Sequence, residues 1–154
     1  MKEVLVHKLI NDCMTPYLIT IGPYATLAEA YEIMQKNYIR HLPVVEKDKL
    51  IGMLSLSDIL DAKPSDIGHS QSKAELNKNL SSIYVDMAMN RNPVVIYQTD
   101  TLGHAAELML DEKIGGLPVV DIDGNLVGLL TESDIYRTIV RKWRDDNTIK
   151  SAVA

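Results

Sequence analysis

Two stretches of the chain join a hydroxyl to a carboxylate at a spacing that can hold a ligand. Gly-Leu-Leu-Thr-Glu-Ser-Asp occupies 128–134, and Gly-Met-Leu-Ser-Leu-Ser-Asp occupies 52–58. Each leaves an apolar strand, sets Thr131 or Ser55 at its end, and follows three residues later with Asp134 or Asp58, where a helix-like run begins. Free backbone N–H groups at a helix N-terminus favour an anion such as phosphate. A carboxylate accepts hydrogen bonds from a sugar diol. The pattern therefore suits a nucleotide. It also spells a variant of the capping box, in which hydroxyl and acid satisfy the helix's own orphan donors. For one isolated copy the cap is the better reading; two copies in a repeated context keep the ligand site open.

No other chemistry competes. His7, His41, His69 and His104 are scattered rather than spaced as metal ligands. There is no P-loop, no nucleophile elbow and no pair of carboxylates in separated environments, so no catalytic residue is assigned and an enzyme is not expected. Cys13, the one cysteine, excludes an internal disulfide framework and fits a reducing compartment, as a small buried apolar residue.

Composition narrows the classes further. The 154 residues are 46% hydrophobic with no Phe and one Trp, so the core must be aliphatic. The net charge of −5 speaks against a nucleic-acid binder, which needs a basic face. No apolar run approaches the ~18 residues that span a bilayer, and no signal-peptide h-region opens the chain. A cytoplasmic protein without a membrane partner is expected.

The elements that must position the two motifs follow from periodicity. Residues 1–13 read as a lead-in strand or short helix, stopped by Pro16, which disfavours helix before it. A β-rich run at 17–21 turns at Gly22-Pro23. Thr26 and Glu29 form a capping box that opens a helix burying Leu27, Ala30, Tyr31, Met34 and Tyr38. Residues 42–45 form a short buried strand, Lys47-Asp48-Lys49 a hairpin turn, and 50–54 the return strand; a second helix begins at Asp58. Residues 63–82 are polar and carry Pro64 and Gly68, which reads as a linker with one helical turn at 73–80. The last helix, at 134–145, ends in Arg137, Arg141, Lys142 and Arg144, charges that complement a helix C-terminus. Trp143 packs on the body or on another subunit, and 146–154 reads as a frayed tail.

The pattern occurs twice. At an offset of 75, residues 26–45 and 101–120 share ten of twenty identities, including all of Leu-Pro-Val-Val; 50–59 match 126–135 at six of ten. Each unit of strand, helix, strand, strand, helix is about 50 residues, too small to be comfortable alone. Two such units with complementary apolar faces would pack as a pseudo-twofold pair.

This organisation resembles a tandem pair of cystathionine-β-synthase (CBS) domains, a Bateman module. The resemblance is carried by the repeated Leu-Pro-Val-Val, the hairpin, and Gly-x-x-Thr/Ser-x-x-Asp; Ile114 to Val120 with Gly128 to Asp134 is similar to the family consensus. The linker and spacing are similar to small stand-alone bacterial proteins of the acetoin-utilisation type. The implied fold is α/β (α+β), two β-α-β-β-α repeats at 8–62 and 83–140, with a linker at 63–82 and a helix end and tail at 141–154.

The resemblance implies a regulatory module that binds an adenosine-containing ligand in clefts between the repeats: AMP, ADP or ATP first, NAD or S-adenosylmethionine next, and no metal. By motif position Asp58 and Asp134 would hold ribose hydroxyls, Ser55 and Thr131 would lie near phosphates, and Thr20, Ile21, Val95 and Ile96 would line the adenine slot. Arg40 and His41 would either contact phosphates or form an exposed loop pair, where the second copy, with Gly115 and Gly116, offers only close backbone approach. The two sets should therefore differ, with the better preserved Thr131–Asp134 copy preferred. Such modules pair as homodimers, here through helices 26–38 and 101–113 with Tyr31 and Tyr38 as contacts, and signal to an unidentified effector protein in trans. The competing reading is a ligand-free structural module for dimerisation or interaction.

Overall fold

The computed structural model describes residues 5–16, 18–63 and 72–152. Tyr17 of the first β-rich run, the linker residues 64–71 with His69, and the last two residues lie outside the described residues. The chain divides into two compact units, one continuous (Ile19–Pro93) and one composite (Met1–Leu18 with Val94–Ala154).

In the continuous unit, α1 (Leu27–Asn37) starts at the expected capping box: the Thr26 hydroxyl accepts from Glu29 N at 3.2 Å, and Glu29 accepts from Thr26 N at 2.7 Å. That backbone bond, with the Thr26 hydroxyl, holds the Glu29 carboxyl below its ordinary range. α1 stops where Tyr38 turns left-handed, and Tyr38 is 96% exposed. β1 (His41–Glu46) and β2 (Lys49–Ser55) form an antiparallel hairpin closed by Lys47 and Asp48, both at positive φ as a two-residue hairpin demands. Then come α2 (Leu56–Asp61), α3 (Lys73–Leu80) and α4 (Val85–Ala88). α3 is two turns rather than one, because Ser72 and Glu75 form a third capping box. Among the described residues 18–21 of the strand expected at 17–21, only Ile21 pairs, in parallel with Val44. Val45 N donates to Ile21 O at 2.9 Å, but Pro43, two residues back on that edge, has no N–H with which to continue the ladder.

The composite unit repeats this plan with β3 (Ile96–Tyr97), α5 (Leu102–Glu112), β4 (Gly116–Val120), β5 (Leu126–Thr131) and α6 (Glu132–Ala152). β3 is parallel to β4, and β4 is antiparallel to β5. The bulge at Val119/Val120 matches that at Val44/Val45. α6 runs to Ala152, so the frayed tail expected from residue 146 is helical through that point: no Gly or Pro interrupts 132–152, and Lys142 pairs with Asp146 one turn on at 3.3 Å.

Each unit is completed by a segment from the far side of the repeat boundary. Residues 5–16 carry two 3-10 turns (Leu5–His7 and Ile10–Asp12) and pair with the second repeat. Leu102 N donates to Lys8 O at 2.8 Å, Ile10 N to Asp100 O at 2.9 Å, and Thr15 and Leu129 exchange two bonds. The same pairings recur in the continuous unit: Leu27 N to Ile83 O and Val85 N to Ala25 O, each at 2.8 Å, with Asn90 and Met53 exchanging two bonds. Sequence boundaries at 8–62 and 83–140 follow chain order; the compact units do not. The two cores are aliphatic throughout, built on Leu27, Met34, Leu54 and Val85 in one unit and on Ile10, Ile96, Leu117 and Leu130 in the other.

A methionine plugs each completion. Met89 lies over Gly52 and Met14 over Gly128, so close that no Cβ fits at either glycine without displacement. A Cβ on Gly52 would also stand 2.9 Å from the backbone oxygen of Asn90, whereas the three atoms nearest to one on Gly128 all belong to the flexible Met14 side chain. Gly52→Ala is therefore expected to lower stability by about 1–3 kcal/mol and Gly128→Ala by less. Urea unfolding of the two variants checks the order; equal losses would contradict it.

Candidate functional site

The structure gathers the candidate residues at equivalent ends of the two hairpins. In the continuous unit His41 stands opposite Ser55 in the β1–β2 register, and Leu56 N donates to Arg40 O at 2.9 Å. That places Arg40 and His41 at the strand start facing the first turn of α2, where Asp58 sits. In the composite unit Gly116 stands opposite Thr131, and Glu132 N donates to Gly115 O at 3.1 Å. Ile21 and Ile96 run beside β1 and β4, but both side chains are buried in the aliphatic cores, which leaves Thr20 and Val95 as the exposed members of those pairs.

Both hydroxyl–carboxylate pairs lie at a helix start. Ser55 is the N-cap of α2 and Asp58 its third residue. Asp58 Oδ2 accepts from Ser55 N and from the Ser55 hydroxyl, each at 2.7 Å, and Ser55 Oγ accepts from Asp58 N at 3.1 Å. The helix accordingly begins two residues before the Asp58 start expected from sequence. Asp134 Oδ2 likewise accepts from Thr131 N and the Thr131 hydroxyl, each at 2.8 Å. The capping role is thus built into both copies. It does not exclude a second one, because the cap uses a single carboxylate oxygen and fixes where the other stands.

The other oxygen differs between the copies. Asp134 Oδ1 accepts from Arg137 Nη1 at 2.6 Å, and the Thr15 hydroxyl stands 3.4 Å from the same atom, a long contact. Asp134 is only 5% exposed, and the Thr138 hydroxyl donates to its backbone oxygen at 2.8 Å. Sequence reasoning placed Arg137 among the charges of a helix C-terminus. With α6 extending to Ala152, Arg137 instead sits in its second turn and turns back on Asp134. The i, i+3 spacing was the available signal. Thr15 carried no signal, since its partner is remote in sequence. Cys13, half-buried nearby, has its thiol pushed up by burial and is not primed as a nucleophile.

Among the described residues no group of His, Cys, Asp and Glu is arranged to hold a metal ion. No helix among them is long and apolar enough to cross a membrane. The outer face of α6 is apolar at helical spacing: Tyr136, Ile139, Val140 and Trp143 are all exposed. Of the tyrosines expected at a subunit contact, Tyr31 packs half-buried against the core, and Tyr38 projects from the end of α1.

Comparison with known proteins gives two matches to one family model, described as CBS domain, at residues 10–65 and 81–141. CBSX2 of Arabidopsis thaliana, solved in complex with AMP, is 31% identical over 87% of this chain and 97% of that one, with a TM-score of 0.71. The CBS domain pair of MJ0100, solved with 5′-methylthioadenosine and S-adenosylmethionine, is 29% identical over 88% and 98%, with a TM-score of 0.72. AcuB from Vibrio cholerae is 28% identical over 91% and 96%, with a TM-score of 0.72. The chain spans less than two thirds of most of the curated relatives that it matches: 47% of one from Methanocaldococcus jannaschii, and 26% of a homoserine O-acetyltransferase.

The cap geometry orders the variants by stability. Asp134→Ala removes the acceptor of Thr131 N and is expected to cost about 1 kcal/mol or more. Arg137→Ala, at a side chain 67% exposed, should cost roughly 0.2–1 kcal/mol. Thermal unfolding of both variants reads the difference, and an Arg137→Ala loss above that of Asp134→Ala would contradict the assignment.

Proposed function

This chain belongs to the CBS-domain family, and from that premise we propose that it is a non-enzymatic regulatory module that binds an adenosine-containing ligand. The observation that carries the reading is the repeated placement of a hydroxyl and a carboxylate at a helix start, next to a strand whose exposed neighbours are Thr20 or Val95. Relatives at about 30% identity solved with AMP, or with 5′-methylthioadenosine and S-adenosylmethionine, support the ligand class. The ribose diol falls to Asp58 and Asp134, and phosphates to Ser55, Thr131, Arg40, His41 and the backbone at Gly116. Thr20, Ile21, Val95 and Ile96 form the adenine side, the two isoleucines from beneath. AMP, ADP and ATP are the leading ligands, with NAD and S-adenosylmethionine next.

Output requires a partner in trans or a change of assembly. The exposed stripe of Tyr136, Ile139, Val140 and Trp143 supports a homodimer, since a soluble protein rarely leaves such a row uncovered. Coupling between ligand and effector is then a difference in affinity between two states of that assembly. The structural-module reading also has an observation in its favour, because both carboxylates already serve as caps.

Thermal unfolding with AMP, ADP, ATP, NAD and S-adenosylmethionine separates the two readings. A ligand at one hundred times its dissociation constant stabilises by ~2.7 kcal/mol, a rise of roughly 5–11 °C for a domain of this size. The sensor reading expects such a rise with at least one ligand, diminished in Asp58→Ala or Asp134→Ala. Cooperative unfolding that no ligand shifts would favour the structural module.

A further inference from the structure

We propose that the two carboxylates are unequal anchors: the Asp58 set takes an adenosine ligand first, and the Asp134 set takes one only when Arg137 lets go. This rests on the reading of both residues as ribose anchors. A carboxylate offers about four lone-pair positions. Asp58 commits Oδ2 to the Ser55 cap, and among the described residues nothing donates to its Oδ1. An incoming diol meets a fixed, unoccupied acceptor there. Asp134 commits Oδ2 to the Thr131 cap and Oδ1 to Arg137, with the Thr15 hydroxyl alongside. The two hydroxyls of a diol need both remaining positions on Oδ1, so a diol can bond this carboxylate as it would Asp58 only by displacing the guanidinium as well as the long Thr15 contact.

The main sequence difference behind this is a reversal of charge. Arg137 stands one turn after Asp134; the matching position one turn after Asp58 is Asp61, which repels rather than latches. The counterpart of Thr15 is Asn90, whose side-chain oxygen instead accepts from Asn92 N at 3.0 Å. A second observation points the same way. Arg40 lies at the strand start beside Ser55, where the other set has Gly115, so a cationic side chain for a phosphate accompanies the open carboxylate. The motif copy better preserved in sequence is thus the one whose anchor is already occupied. Arg137 is a positioning residue that sets the threshold of the second site, and the module answers ligand at two concentrations rather than one.

Calorimetric titration of the full chain with AMP tests this. The wild-type chain should bind in two resolved steps. Arg137→Ala, at an exposed position, should tighten the second step about threefold to tenfold, because the competent carboxylate is no longer a minor population. Asp61→Arg, also exposed, supplies the missing latch and should weaken the first step about tenfold, bringing the two steps together. The inference is overturned if Arg137→Ala leaves the second step unchanged or weaker, or if Asp61→Arg leaves the first step unchanged or tighter. Two identical steps insensitive to both variants would overturn it while leaving the adenosine-binding reading intact. Absence of binding by AMP and by every other adenosine ligand of the panel would overturn both.

Discussion

Neither repeat can close its own core. About fifty residues without Phe bury too little surface to be stable alone, and the structure answers with reciprocal completion. Backbone bonds from Leu27 to Ile83 and from Leu102 to Lys8 dock the lead-in of one repeat onto the helix start of the other. Met89 and Met14 then settle over Gly52 and Gly128, the glycines that open the two motifs. Everything downstream depends on that docking. The strands β2 and β5 that carry the hydroxyls are paired on one side by β1 or β4 and on the other by the exchanged segment at Asn90 or Thr15.

The candidate site inherits its rigidity from the caps. A hydroxyl and a carboxylate that satisfy a helix start are held without further packing, and the cap leaves one carboxylate oxygen with a defined direction. The bland and the functional readings of the motif are therefore two uses of the same atoms. What distinguishes the copies is the residue one turn later, arginine in one and aspartate in the other.

Local signals were legible in the sequence, and remote ones were not. The Thr26–Glu29 box, the Leu-Pro-Val-Val strands, the hairpins and the repeat follow from spacing and turn chemistry within a few residues, and the structure contains all of them. The exchange of residues 5–16 was invisible because backbone pairing between remote segments leaves no compositional trace. Thr15 could not be placed near Asp134 for the same reason. Arg137 reads as a C-terminal charge only because polar residues after 145 resemble a tail, yet nothing among them breaks a helix, and α6 continues to Ala152. The Ser72–Glu75 box was present in the sequence, hidden at the edge of a linker that reads as irregular.

The exchange also imposes an order on how the molecule comes into being. On a ribosome the turns Leu5–His7 and Ile10–Asp12 emerge long before their partners, for Ile10 bonds Asp100, Lys8 bonds Leu102 and Thr15 bonds Leu129 in the second hairpin. The segment from Ile83 to Asn90, by contrast, meets a partner already synthesised. The continuous unit can therefore form while the chain is still growing, whereas the composite one is complete only when β5 has been made, and residues 5–16 wait for it meanwhile. Thr15, made more than a hundred residues before Leu129, is seated only after it.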